Sequence, residues 1–463
     1  MEPVTIGEIL AAVDGTLMGI PMEEHAVVTS VTTDSRAIQP GSLFIPLSGD
    51  RYDGHAFIQS ALEHGAAGCL FHRDREHYLP GKFYIKVRST HRALRDLAQW
   101  YKRRFDIPFV CVTGSVGKTT TKDMIAAVLG ERFRVLKTDG NFNNDIGLPL
   151  TLLRLEQKHQ ICVLEMGMNH AGEIEYLSEL VEPDVAVITN VGDAHMENLG
   201  SREGIFRAKC EIFSHMKAEG LAILNGDDEW LKPLRDRLPF STLLVGTGDG
   251  MDYRADEVSS DGRSHLCCRI STPAEVVQAD IPALGTHMIY PAMMAAAVAS
   301  HFGMSGQEIS RGMRAFLPTK MRMNILRLPR DVVVLNDSYN ASPQSMRAAA
   351  AVLGDAQGRR VAIVGDMLEL GDNSALFHQA VGSSFGAYHI HCVIAIGVLS
   401  RHIADGARDA GVGEVYHFES KEDAMPIVLA QLRPGATILV KASRRMAFEE
   451  LAAALVEAGN SMG

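Results

Sequence analysis

The sequence predicts an α/β protein of three domains: a small N-terminal α/β unit, a central unit on a mainly parallel sheet, and a C-terminal Rossmann-like unit. Three observations support this. At 463 residues the chain is far too long for one hydrophobic core. Continuous apolar runs of four to six residues alternate with longer helical stretches, the pattern of parallel strands buried on both faces. That alternation stops near residue 325 and restarts near 330, which marks a second doubly wound unit.

Residues 1–86 mix short apolar runs, at 42–47 and 66–71, with turns rich in Gly, Pro and Asp. A helix over about 92–105 leads to Pro108 and opens the central unit, 87–325. There, strands are predicted at 109–112, 161–165, 185–190 and 222–225. The Thr-, Ser-, Asp- and Gly-rich section 241–282 reads as an antiparallel extension, and the alanine-rich stretch 292–299 as a tightly packed helix. In the last unit, 326–463, strands are predicted at 332–335, 361–364, 393–396 and 437–440. Gly365 and Gly397 follow strands but lack a GxGxxG context, so a dinucleotide site there has little support.

With 46% hydrophobic and 22% charged residues the composition is that of a globular protein. The net charge of -11, with no stripe of Lys and Arg, argues against nucleic acid as a partner. No basic leader opens the chain and no window approaches 18 uninterrupted apolar residues, so a cytoplasmic protein without membrane insertion is expected. The seven cysteines show no CxxC or paired spacing and read as free thiols. Nothing demands more than a monomer.

The strongest chemical signal is Thr113-Gly114-Ser115-Val116-Gly117-Lys118-Thr119-Thr120, between an apolar strand and a helix. Glycines let backbone N–H groups reach phosphate oxygens, the helix N-terminus favours anions, and Lys118 brings a point charge to the β and γ phosphates. Thr119 is placed to offer its hydroxyl to Mg²⁺. The longer GxxxxGK[ST] pattern is matched only in part, because Val112 stands where it has its first glycine. ATP binding is expected.

Glu165 ends a buried-type strand, where a carboxylate in a parallel sheet faces the ligand crevice and suits Mg²⁺. An N-cap or a solvated turn acid is the competing reading. His195 follows the next strand, at the same edge; alone, a histidine there is more often structural. Lys209 lies on a mostly apolar helical face. A buried, neutral amine can add CO₂ and become a metal-binding carbamate, whereas an extended surface lysine is the plainer reading.

Together these motifs resemble the Mur ligases, and within them the branch that adds D-alanyl-D-alanine to a UDP-N-acetylmuramoyl-tripeptide in bacterial cell-wall synthesis. The resemblance rests on TGSVGKTTTK (113–122), TDGNFNNDIGLPLTLL (138–153), EMGMNHAGEIEYL (165–177), TNVGDAHMENLGSREGIFRAKCEIF (189–213), NDSYNASP (336–343) and TDSRAIQPGSLFIPLSGDRYDGH (33–55). It implies an ATP- and Mg²⁺-dependent amide ligase. Lys118 would contact the β and γ phosphates, within a nucleotide site that includes Gly114, Ser115, Val116, Gly117, Thr119, Thr120 and Asn190. Thr119 and Glu165 would hold one Mg²⁺, and His195 would help hold a second, with Lys209 carbamylated. Arg322 and Asp337 resemble ribose contacts, with Tyr339 and Asn340 on the same loop. Asn141, Asn143 and Asn144 would lie near the muramyl peptide, and Ser35 and Arg36 at the UDP moiety with Asp53 and His55 close by. Lys441, Ser443 and Arg444 belong to a C-terminal substrate loop.

Two departures stand out. Pro291 occupies the position of an asparagine expected to contact adenine, so base recognition is expected to change. Ala442 and Arg445 replace two glycines of the C-terminal signature, which predicts a loop that closes differently. A sibling amide ligase of the folylpolyglutamate or diaminopimelate-adding type, and a nucleotide-binding homologue that has lost the reaction, are the alternatives.

Overall fold

The strand that carries the phosphate loop, Phe109–Thr113, is buried along its whole length and lies between Ile161–Glu165 and Val185–Ile188, parallel to both. These apolar runs cannot face water on either side, so helices cover both faces of the sheet. The computed structural model describes residues 1–18, 27–49, 52–73, 77–262 and 264–462. Asp50 and Arg51 of the 33–55 segment therefore lie outside the described residues.

Three main sheets form. The first has five strands in the order Thr16–Met18, Phe83–Lys86, Gly68–Phe71, Leu43–Phe44, Val31–Thr32. All its pairings are parallel except the first. The central sheet has nine strands, and its run from Val135–Lys137 to Tyr253–Ser260 is parallel throughout. The third has six, parallel apart from its edge strand Asn324–Leu328.

Several expectations need correction. The helix expected over 92–105 is Thr90–Lys102, capped by Ser89, whose hydroxyl accepts from the Arg92 amide. The 241–282 extension starts parallel, with Ser241–Gly246 alongside Leu221–Asn225, and turns antiparallel only at Leu266–Ser271 and Val276–Ile281. Among the strands the sequence reading lacks are Asn324–Leu328 and Glu414–Phe418. Both are edge strands of mainly intermediate burial, so neither shows a continuous apolar run. The first of them crosses the expected 325/326 boundary, yet pairs with the third sheet along its whole length.

No gap separates the first unit from the central one. Helix Thr90–Lys102 buries Leu94, Leu97 and Tyr101 in a core that runs from Ile9 and Leu43 to Leu148 and Leu164. The Tyr101 hydroxyl donates to the Leu155 carbonyl at 2.7 Å and accepts from the Glu2 amide at 2.7 Å, satisfying the one polar atom this burial would strand. Among the described residues no helix is long and apolar enough to cross a membrane.

Candidate active site

The phosphate loop is held from the side by the segment that leaves strand Val185–Ile188. Thr189 donates from Oγ1 to the Val116 carbonyl at 2.7 Å. The Asn190 side chain closes a two-way clamp on Val116, accepting from its N–H at 3.0 Å and donating to its carbonyl at 2.9 Å. This corrects the reading of Asn190 as a nucleotide contact: its amide is committed to shaping the loop. Gly114 sits at φ +148°, and a Cβ there would lie 1.8 Å from Thr189 Oγ1. Gly117, at φ +83°, turns the chain into helix Lys118–Leu129.

Lys118 folds back so that Nζ donates to the Gly114 carbonyl at 2.7 Å. Burial lowers its pKa from the ordinary lysine value, the neighbouring Glu165 opposes that shift, and Arg322 adds to it. Glu165 is 2% exposed. Its Oε1 accepts from Asn143 Nδ2 at 2.8 Å, while Oε2 is buried with no hydrogen-bond partner. A buried carboxylate oxygen without a partner is costly unless a cation or donor completes it, so Glu165 fits a divalent-metal role. Among the described residues no three His, Cys, Asp or Glu side chains form a protein-only metal cage. That suits Mg²⁺, which is commonly held by one or two carboxylates together with substrate phosphates.

Around the loop lies a cavity of about 520 Å³. One wall is Ser115, Val116, Gly117, Lys118, Thr119 and Thr120; the facing wall comes from the third unit with Asp337, Tyr339, Asn340, Lys441, Ser443 and Arg444. The Arg322 guanidinium stacks 4.1 Å from the centre of the Tyr339 ring and donates to Thr119 Oγ1 at 3.1 Å, tying the two walls together. Thr119 keeps a second lone pair for a metal.

Other sequence-named residues divide by what they touch. Asn141 lines the cavity, and Asn143 positions Glu165. Asn144 accepts on Oδ1 from the Gly147 amide at 2.9 Å and braces helix Gly147–Leu152; it lies outside the cavity lining. Lys441 lines the cavity and also braces its wall. Its Nζ is buried against Asp337 Oδ2 at 2.6 Å and the Asn340 carbonyl at 2.9 Å, which uses two of its three protons. Ser443 accepts from the Leu368 amide, and Arg444 pairs with Glu449 at 2.6 Å.

Lys209 is 1% exposed, and no hydrogen bond or ion pair engages its amine among the described residues. Burial drives its pKa well below the lysine range, with Lys118 adding to the shift, which favours the neutral form of the amine. His195 lines the cavity in a left-handed conformation, φ +64°. Its Nδ1 lies 3.0 Å from Oε2 of Glu369, a residue of the third unit that sequence reasoning missed. A lone acid in a loop carries no pattern of its own.

Ser35, Arg36, Asp53 and His55 lie outside this cavity. Arg36 is paired bidentately with Asp34, at 2.9 and 2.8 Å. Asp53 accepts from the His55 amide and Ser48 and pairs with Arg73 at 2.6 Å. Burial pushes the Asp53 pKa up, but these hydrogen bonds and the Arg73 charge outweigh it and bring it down to about 2.

The backbone accommodates both departures without strain. Pro291 sits in the first turn of helix Ile289–His301, where a missing N–H costs little. It does not line the cavity; Leu284, His287 and Met288 do. Neither Ala442 nor Arg445 has positive φ, and the left-handed residue of that turn is Ala447, at φ +51°. The replaced glycines therefore impose no strain, contrary to expectation.

Family models for the Mur ligase middle domain, the Mur ligase glutamate ligase domain and the Mur ligase catalytic domain match residues 112–299, 321–444 and 27–102. The UDP-N-acetylmuramoyl-tripeptide--D-alanyl-D-alanine ligase of Bacillus subtilis (strain 168) is 40% identical over 98% of both chains. The chain belongs to the Mur ligase family. The ligase of the same name from Escherichia coli (strain K12) is 35% identical over 99% of this Mur ligase and 100% of its own length. Among solved structures, MurF from Acinetobacter baumannii superposes with a TM-score of 0.90 at 32% identity, covering 99% of both chains. MurF from Thermotoga maritima, solved in complex with ADP, gives 0.83 at 27% identity, covering 94% of this Mur ligase and 98% of that chain. A folylpolyglutamate synthase from Mycobacterium tuberculosis complexed with ADP, at 16% identity and TM-score 0.61, shares the fold.

Proposed function

We propose that this Mur ligase joins D-alanyl-D-alanine to UDP-N-acetylmuramoyl-tripeptide, converting ATP to ADP and phosphate, in the precursor stage of peptidoglycan synthesis. The observation that carries the substrate assignment is the 40% identity, over nearly the whole of both chains, to a ligase of that name. The cavity supports the chemistry, because it joins a phosphate loop on the central unit to polar groups on the third unit.

The terminal carboxylate of the tripeptide attacks the γ-phosphorus of ATP. A carboxyl O–P bond forms, the bond from phosphorus to the bridging β,γ oxygen breaks, and ADP leaves. The amine of D-alanyl-D-alanine then attacks the acyl phosphate carbonyl; the C–O bond to phosphate breaks, and the nitrogen loses a proton. Lys118 places positive charge on the transferring phosphoryl group, and the loop amides orient it. Thr119 and Glu165 would hold Mg²⁺, with His195 and a carbamate formed from the neutral Lys209 amine and CO₂ serving a second ion. Bound Mg²⁺ supplies charge neutralisation at the phosphoryl oxygens. Arg322, Asp337, Tyr339 and Asn340 would seat the nucleoside.

Residues 1–86, with Ser35, Arg36, Asp53 and His55, are assigned to the UDP-linked substrate, 87 to about 323 to ATP, and the unit from about 324 to closure over both. The protein is assigned to the cytoplasm as a monomer. The test is phosphate release from ATP with UDP-muramyl tripeptide, with and without D-alanyl-D-alanine, and the product followed by mass. Dependence on both substrates with a mass gain matching the dipeptide supports the assignment; turnover only with another amino acid transfers it to a sibling ligase.

A further inference from the structure

Glu369 and His195 meet across two units of the chain. His195 stands after strand Val185–Ile188 of the central sheet, and Glu369 after strand Arg359–Gly365 of the third. Their side chains meet at 3.0 Å, Nδ1 to Oε2. Both are non-glycine residues in the left-handed region, at φ +64° and +65°. Such conformations persist where surrounding structure holds them. Here the surrounding structure is the partner segment: the Glu197 amide donates to the Glu369 carbonyl at 3.5 Å, and a Cβ on Gly371 would lie in van der Waals contact with Glu197. His195 is 18% exposed at its side chain and lines the cavity together with Glu369.

We propose that Glu369 is a positioning residue that orients the His195 imidazole toward the cavity, and does so only when the third unit is docked on the central one. The proposal rests on the reading of His195 as a metal-binding group. A carboxylate that accepts from Nδ1–H fixes the tautomer with a free lone pair on Nε2 and sets the ring's direction, the arrangement that makes histidine a strong ligand. Closure and readiness of the site are thereby one event: an open enzyme lacks the acceptor that turns the ring.

The test uses the full chain with Mn²⁺ and ADP. Mn²⁺ binding is read by electron paramagnetic resonance, and kcat and KM are measured for ATP at varied Mg²⁺. Glu369→Ala is expected to weaken Mn²⁺ binding and lower kcat by about 10- to 100-fold, with KM for ATP at saturating Mg²⁺ little changed. Glu369→Gln, which keeps an acceptor without the charge, is expected to recover part of both, and it carries the test if the alanine variant melts early. In a double-mutant cycle with His195→Ala, the second substitution adds nothing to the first if Glu369 acts through His195. Wild-type Mn²⁺ binding and kcat in Glu369→Ala, or fully multiplicative effects in the cycle, overturn the proposal while leaving His195 as a ligand. A silent His195→Ala overturns the reading of His195 itself, and the proposal with it.

Discussion

Asn143 donates its side-chain amide to Glu165 Oε1 at 2.8 Å and leaves Oε2 of the same buried carboxylate without a partner. The carboxylate is thus fixed on one oxygen and available on the other. Replacing Asn143 with Ala removes the fixed side. We expect apparent Mg²⁺ affinity and kcat to fall by about 10- to 100-fold, measured by activity across an Mg²⁺ titration, while the melting temperature moves by a few degrees at most.

Gly114 is constrained twice, by φ +148° and by Thr189 Oγ1 at 1.8 Å from where a Cβ would stand. Gly114→Ala is expected to displace Thr189 or the loop and to abolish nucleotide binding by calorimetry. Thr189→Ser in the same background keeps the hydroxyl and does not restore binding; Thr189→Ala clears the clash but still leaves an alanine at a glycine conformation, so recovery there is partial.

The buried pair of Lys441 and Asp337 makes a distinct prediction. Their side chains are 3% and 15% exposed. Lys441→Met strands the Asp337 charge, and the loss of one partner of such a pair costs about 3–5 kcal/mol. Thermal unfolding is expected several degrees lower. Adding Asp337→Asn to Lys441→Met is expected to recover much of that stability without recovering activity, since the double variant lacks the Asp337 carboxylate that faces the nucleotide cavity.

At the Asp53 cluster the prediction concerns acid. The carboxyl titrates at about 2 in the folded protein and near 3.8 ordinarily. Its contribution is therefore present above about pH 4 and lost as pH falls towards 2. Asp53→Asn is expected to flatten the fall of stability over that window, read by circular dichroism at a series of pH values. The effect is modest and weakened by salt, because a third of the side chain is exposed. The KM for the UDP-linked substrate is expected to rise in the same variant.

The phosphate loop was legible because everything that makes it is local: strand, glycines, lysine and helix lie within about 20 residues, and the glycines are required by backbone geometry that the sequence states directly. The buried strands were legible for the same reason, since burial on both faces leaves a continuous apolar run. Edge strands such as Glu414–Phe418 carry no such run. That Asn144 Oδ1 also braces the Gly147 amide, and that Lys441 also pairs with Asp337, could not be read along the chain, because both partners are set by the fold.

What the sequence determined by itself was the α/β class, the nucleotide loop, the candidate carboxylate, histidine and lysine, and the family. Tertiary structure alone decided which of them work together. Asn143 and Glu165 are 22 residues apart, Asp337 and Lys441 are 104, and His195 and Glu369 are 174. A hydrogen bond depends on distance and direction in space, and over such separations those are set by how the sheets pack and the units dock. No residue type or spacing along the chain encodes that Glu369 stands behind His195; only the packing of the central and third units brings one to the other.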